Sequence, residues 1–273
     1  MVAKNSINIY FCYPSKNART EKEIVQSISS QIGYNTKVGF GGFLNKKYLN
    51  DYLHRNLFKG GEKHAEAKQI SARDKKQVRD TIANTIRKCA GELTIPGGVF
   101  SIFVFSSIGS RYEKNFGGIN GFTPYKNTMH IFLLQRFSKR ALVETVAHEF
   151  THAIFFNYHT ERQTLLDTMI FEGIADNFRE DIFAGKPAAW SRALIPHEAR
   201  AALRALQTKL YVKSFSLYQE IFFGSKKYKR WTGYSLGYHI VKHFRKKYPA
   251  LTWEKFIRLK PKEIFKLSGF EKK

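Results

Sequence analysis

The sequence predicts an α+β fold: a mixed sheet with helices in the N-terminal half, a mostly helical C-terminal half, and a motif-bearing helix between them. Three observations carry this reading. Short alternating or continuous apolar runs, the mark of strands, occur only before residue 135. Beyond it, apolar residues recur at intervals of three and four. With 273 residues, 43% of them hydrophobic and 24 of them Phe, the chain can bury a real core, which argues against a mainly disordered protein.

The elements follow in order. Residues 7–13 alternate and read as a first strand, and 21–31 as a short helix. Gly39, Gly41 and Gly42, then Gly60 and Gly61, mark loops. Between them Leu49, Tyr52, Leu53 and Leu57 suggest a helix. The stretch 62–77 is polar, either weakly structured or an exposed helix, and 78–93 carries Val78, Ile82, Ile86 and Cys89 at helical spacing. Residues 99–105 form a near-continuous apolar strand. A second strand, 128–134, has Met129, Ile131 and Leu133 alternating. The Gly-rich segment between them, Gly117-Gly118-Ile119-Asn120-Gly121, reads as loop. Ser138 is the expected N-cap of the next helix, whose stripe is Leu142, Val146, Phe150 and Ala153. Helical patterns then cover 161–184, with the motif stretch at 165–183, then 190–209, 214–223, 233–247 and 252–259, with Gly185 and Pro187 stopping the first of these.

The helix after the second strand contains His148-Glu149-Phe150-Thr151-His152. Histidines at i and i+4 lie on one helical face, about 6 Å of rise apart, so their imidazoles can converge on one ion. A hydrolytic zinc site uses three protein ligands and one open position. His148, His152 and Glu172 supply the three. Glu149, one residue past the first ligand, is turned about 100° and set beside the metal-bound water. With nine histidines in the chain, chance predicts roughly 0.02 such pentapeptides. Glu172 and Asp176 share a face of the next helix, and the pattern calls for one zinc ion. The strand 128–134, directly before the motif helix, is the candidate sheet edge along which an extended substrate could add.

Charge is the second unusual property. There are 46 basic and 22 acidic residues, a formal net charge of +24. Fifteen of the basic residues but only three acidic ones lie from Ser225 onward, so half of the net charge sits there. Such a surface attracts nucleic acid, an anionic membrane or acidic proteins at low salt, or serves only as a lysine-rich solubilising face. No zinc-finger spacing, aromatic RNA-binding signature or Arg-rich repeat accompanies it. No apolar run reaches the roughly 18 residues of a membrane span. The first ten residues lack a signal-peptide pattern, and Cys12 and Cys89 are too few for a disulfide framework. A reduced, cytoplasmic setting is expected.

These residues resemble the gluzincin metallopeptidases, which share His-Glu-x-x-His and a downstream glutamate ligand. The 19 residues between His152 and Glu172 look like the thermolysin type, and Phe171-Glu172-Gly173-Ile174-Ala175-Asp176 is similar to the glutamate helix of the aminopeptidase branch. The match is strongest to a bacterial family of predicted Zn-dependent proteases (YjaZ-like). Three places carry it: the Gly-Gly-x-x-Gly loop at 117–121, the helix motif at 146–152, and Gly233-Tyr234-x-x-Gly237-Tyr238. The resemblance covers roughly residues 99–245 and implies a zincin-like fold and peptide-bond hydrolysis. The expected division of the chain is 1–64, an N-terminal extension or sheet-and-helix part of the same domain, and 65–273, the zincin-like metallopeptidase domain with its basic helical end. By similarity Asp176 would accept a hydrogen bond from a ligand histidine and fix its tautomer.

Hydrolysis builds an oxyanion that a Tyr or His donor usually helps to stabilise. Tyr234, three residues before Gly237, resembles the aminopeptidase donor, with Tyr238 and His239 as alternatives. His239 and His243 are also an i, i+4 pair, but no Glu follows His239 and Lys242, Arg245, Lys246 and Lys247 would repel a cation. The expected activity is therefore zinc-dependent cleavage of a peptide or protein substrate, with Glu149 as general base. The rival reading is a basic polyanion-binding protein whose metal site is structural or belongs to a recruited protease. Endopeptidase and aminopeptidase action are both open; the latter needs an acidic anchor, for which Glu144 and Asn120 are candidates.

Overall fold

The computed structural model describes residues 5–32, 46–58, 70–106, 116–159 and 164–272. The boundary expected at 64/65, the glycines at 39–42 and 60–61, and residues 62–69 of the polar stretch lie outside them. The chain divides into two compact units, residues 1–90 with 95–154, and residues 91–94 with 155–273. The architecture is mixed α+β.

In the first unit, β1 (Ser6–Cys12), α1 (Glu21–Gln31), α2 (Lys46–Leu57) and α3 (Ala72–Ala90) precede β2 (Val99–Ser106), β3 (Ile119–Tyr125), β4 (Thr128–Leu133) and α4 (Lys139–Phe155). The sheet order is β1-β2-β4-β3. β1 runs parallel to β2 from the Ser6–Val99 pair to Cys12–Phe105, and β2 parallel to β4 from Ser101–Thr128 to Ser106–Leu133. β3 lies antiparallel to β4, with Ile119 opposite Leu133.

The apolar strands at the centre reflect burial on both faces. On one face Phe103, Phe105 and Phe132 join Val25, Ile28, Leu53 and Leu57 of α1 and α2 in one core cluster. On the other, Phe100 meets Phe150 of α4 at 5.3 Å between ring centroids. His130 of β4 sits among Tyr52, Phe103 and Phe105, at 5.7, 5.6 and 5.3 Å. Tyr52 Oη is 3.3 Å from its Nδ1. Total burial pushes the His130 pKa down to about 3, so the ring is neutral. Cys12 and Cys89 are buried free thiols, and burial pushes Cys12 up to about 12.

The sheet departs from expectation in two places. The Gly-rich segment is not all loop: Ile119 opens β3. And 128–134 is not a sheet edge, because β4 is paired on both sides; the edge beside it is β3. β3 escapes periodicity analysis because Pro124 interrupts it at an irregularity in register between Phe122 and Tyr125. Proline is tolerated only on such an edge or bulge. The turn after it closes through Asn127, whose φ of 51° asparagine accepts more readily than most residues.

The second unit is helical: α5 (Leu165–Phe183), α6 (Pro196–Ala205), α7 (Phe215–Phe223), α8 (Thr232–Lys247), α9 (Trp253–Phe256) and α10 (Pro261–Ser268). Thr164 and Asp167 form a reciprocal capping box at the start of α5, and Ala184 ends it in the left-handed conformation. Residues 190–195 are not helical as expected. α6 begins at Pro196, which cannot donate a helical hydrogen bond and so suits a first turn. The segment before it is tied to α8, with Ser235 Oγ accepting from Leu194 N at 3.1 Å and lying 2.9 Å from Ser191 O. The helix expected over 252–259 shrinks to α9, and α10 was not foreseen.

Candidate metal centre

The sequence makes α4 a helix with one apolar side. Ser138 Oγ accepts from Ala141 N at 3.3 Å, capping it as expected. Leu142, Val146, Phe150 and Ala153 are fully buried. This fixes the rotation of the helix and turns His148 and His152 to a common side. Their Nε2 atoms are 2.9 Å apart, with ring planes at 84°. His152 is buried and His148 half-buried. Two imidazoles thus aim their outer nitrogens at nearly one point.

Glu149 is turned toward β3 and buried. Thr123 Oγ1 lies 2.7 Å from its Oε2 and 2.9 Å from its backbone oxygen. A hydroxyl has one proton to give, and the carboxylate is the stronger acceptor. Gly121 makes room for this: a Cβ there would come within 2.6 Å of Glu149 Cγ and of Thr145 Cγ2. Sequence reasoning missed Thr123, which stands in a strand whose first three residues read as loop and whose remainder was unassigned. The aromatic and β-branched run Phe122-Thr123 before the Lys126-Asn127 turn was the available signal.

In the second unit, α5 carries Glu172, Gly173 and Asp176. Gly173 and Gly237 allow α5 and α8 to meet main chain to main chain; a Cβ on either would collide with backbone atoms of the other helix. Asn177 spans the crossing, donating from Nδ2 to Gly173 O at 2.8 Å and to Tyr238 O at 3.1 Å. Asp176 is fully buried. Its Oδ2 accepts from Ser191 Oγ at 2.6 Å and Trp190 Nε1 at 2.8 Å, and Arg179 Nε is 3.9 Å from Oδ1. Trp190 and Ser191 carry no local pattern that would reveal this role.

The three donor candidates on α8 differ in their surroundings. Tyr234, in the first turn, is half-buried; its ring stands edge-on to Phe222 at 4.9 Å and to Trp190 at 6.5 Å. Tyr238 donates its hydroxyl to Glu180 Oε2 at 2.7 Å, and burial together with that carboxylate holds the phenol protonated. His239 Nε2 is 2.9 Å from Leu194 O, and burial lowers its pKa, so the neutral ring donates there. His243 Nδ1 likewise meets Ser268 O at 2.7 Å. Each ring of the second histidine pair thus spends a nitrogen on a carbonyl. Among the exopeptidase anchors, Glu144 pairs with Arg140 at 2.8 Å, and Asn120 donates to Asn56 at 3.3 Å.

Among the described residues, one group of His, Cys, Asp and Glu side chains could hold a metal ion. It is His148, His152 and Glu172, with one donor atom from each within 4.8 Å of the others. Two imidazoles and a carboxylate are the donor set of an open zinc site, so the residues fit that ion. No helix among the described residues is long and apolar enough to cross a membrane.

A family model described as "Predicted Zn-dependent protease (DUF2268)" matches residues 76–266. The uncharacterized protein YjfC of Bacillus subtilis (strain 168) is 26% identical over 168 residues, 56% of this chain and 54% of that protein. The uncharacterized protein YjaZ of the same organism is 25% identical over 148 residues, 49% of this chain and 53% of the other. The chain thus spans about half the length of these curated relatives. Among solved structures, an aminopeptidase N family protein from Idiomarina loihiensis is similar at 15% identity with a TM-score of 0.43, covering 74% of this chain and 38% of that one.

Proposed function

We propose, from the premise that the chain belongs to the predicted Zn-dependent protease family (DUF2268), that it hydrolyses peptide bonds in a zincin-like site whose single zinc ion is held by His148, His152 and Glu172. The observation that carries the reading is the facing pair of imidazole nitrogens, 2.9 Å apart, with the Glu149 carboxylate on the neighbouring position of the same turn. When bound, zinc supplies Lewis acidity, polarising a peptide carbonyl and lowering the pKa of water toward about 7.

The protein's own groups do the rest. Glu149 takes the proton of the attacking water and later gives it to the leaving amine. Thr123, donating to Oε2, keeps that carboxylate in one orientation. Tyr234 is assigned as the donor to the developing oxyanion, because Tyr238 and His239 direct their donors to Glu180 and Leu194. Asp176, one turn beyond Glu172 and anchored by Trp190 and Ser191, is assigned to orienting a ligand histidine. The substrate is a peptide or protein.

The test combines zinc quantification with cleavage profiling on a mixed peptide library, for the wild type and Glu149→Gln. About one zinc per chain is expected in both, with cleavage by the wild type alone. Cleavage by Glu149→Gln, or a zinc-loaded wild type that cuts nothing, sinks the reading. Free against blocked peptide N-termini separate aminopeptidase from endopeptidase action.

A further inference from the structure

The basic half of the second unit is not one uniform charged surface. Several cations of α8 are engaged within the fold. Lys242 pairs with Glu180, and Arg245 stacks over Trp253 at 4.3 Å with Asp181 at 3.8 Å. Lys247 donates to Leu267 O at 3.0 Å. The face around α7 is different, because there cations border exposed apolar side chains.

Phe215 is 76% exposed and Phe223 48%, eight residues apart and so on one side of α7. Tyr211 and Val212, just before the helix, are 52% and 40% exposed. Tyr218 connects the two phenylalanines, its ring 6.2 Å from Phe215 and 5.7 Å from Phe223. Folding leaves large apolar residues in water singly as a matter of course; a connected set marks an interaction surface.

Its border is cationic. Exposed Lys213 lies between Val212 and Phe215. Immediately after Phe223 the chain makes a tight turn, closed by Ser225 N donating to Tyr228 O at 3.0 Å, with Lys226 and Lys227 at its tip. Lys262 lies over the Tyr211 ring at 5.5 Å. Glu220, on the flank of α7, is the exposed acid of this helix. Protruding aromatic rings within a lysine border are the composition of a surface that sits in a bilayer interface, rings among the acyl chains and ammonium groups on anionic headgroups. A nucleic-acid duplex would satisfy the lysines, but its bases are stacked inside it and leave Val212, Phe215 and Phe223 without an apolar partner.

We propose that α7 and its flanks dock the chain peripherally on an anionic lipid bilayer. The proposal stands on surface composition and is independent of the peptidase reading.

The experiment is co-sedimentation of the full chain with phosphatidylcholine vesicles, pure or with about 30% phosphatidylglycerol, beside a duplex oligonucleotide in solution. The wild type, Phe215→Ser/Phe223→Ser and Lys213→Gln/Lys226→Gln/Lys227→Gln are compared, with thermal unfolding confirming that each is folded. The expected result is binding to anionic but not to pure phosphatidylcholine vesicles, weakened at least tenfold in each variant. Three results overturn the proposal. The wild type could ignore anionic vesicles. The Phe variant could bind them as well as the wild type, which would mean charge alone. Or the chain could bind the oligonucleotide in preference, unaffected by loss of the rings, which would make the surface a nucleic-acid site. Should the double Phe variant fail to fold, Phe215→Ser alone, at a ring 76% exposed, replaces it, and vesicle binding equal to that of the wild type overturns the proposal.

Discussion

Gly173 and Gly237 face each other where α5 crosses α8, so closely that a methyl group on either would fall on main-chain atoms of the other helix. This contact explains two sequence features together. Glu172 is followed by glycine, and Tyr234 precedes a glycine by three, because the turn bearing each side chain is pressed against the other's backbone.

Gly237→Ala should therefore destabilise the second unit by about 1–3 kcal/mol or more, since backbone cannot yield as a side chain can. Thermal unfolding would show it as a lower midpoint. A midpoint equal to wild type would mean that the helices are not in the contact described.

Thr123→Val keeps the shape of the side chain and removes the donor to Glu149. If Thr123 orients the base, kcat should fall about tenfold or more, the size of a lost hydrogen bond to a charged group, with KM and zinc content little changed. Thr123→Ser should restore most of it. Equal losses in the Val and Ser variants would point to packing instead.

Asp176→Ala should reduce zinc affinity or activity about 10- to 100-fold, read by competition with a chromogenic chelator. It should also lower the stability of the metal-free protein, because buried Arg179 loses its carboxylate partner. Unchanged zinc affinity would remove Asp176 from the metal centre and leave it a structural anchor.

His130 predicts an acid limb in stability. Its folded pKa, about 3, lies below the ordinary 6.5, so between these values the unfolded chain binds a proton that the folded one refuses. Stability then falls as pH drops below about 6.5, by up to about 1.4 kcal/mol per pH unit, and is unaffected above it. Denaturant unfolding of the wild type and His130→Phe from neutral to acid pH tests this. The variant should be less acid-sensitive, and parallel curves would refute the assignment.

Local chemistry explains what was legible in the chain. Glu21–Gln31 and the α4 stripe announce themselves because caps and period-3.6 burial are properties of consecutive residues. β3 did not, since Pro124, three small or polar positions and a bulge conceal a strand that exists only by pairing with β4. The same limit hid Thr123, which matters through Glu149, 26 residues away.

By itself the sequence determined the candidate donor set and its spacing. His148, Glu149 and His152 share one turn of a capped helix, and that follows from 3.6 residues per turn whatever surrounds it. Tertiary structure decided which strand is the edge, which hydroxyl holds Glu149, and which of Tyr234, Tyr238 and His239 has its donor engaged with Glu180 or Leu194. It also decided which lysines are spent on internal carboxylates and which border the exposed rings of α7. The reason is physical. Helix geometry is set by neighbours in the chain, whereas pairing, burial and the fate of a charge are set by residues that only folding brings together.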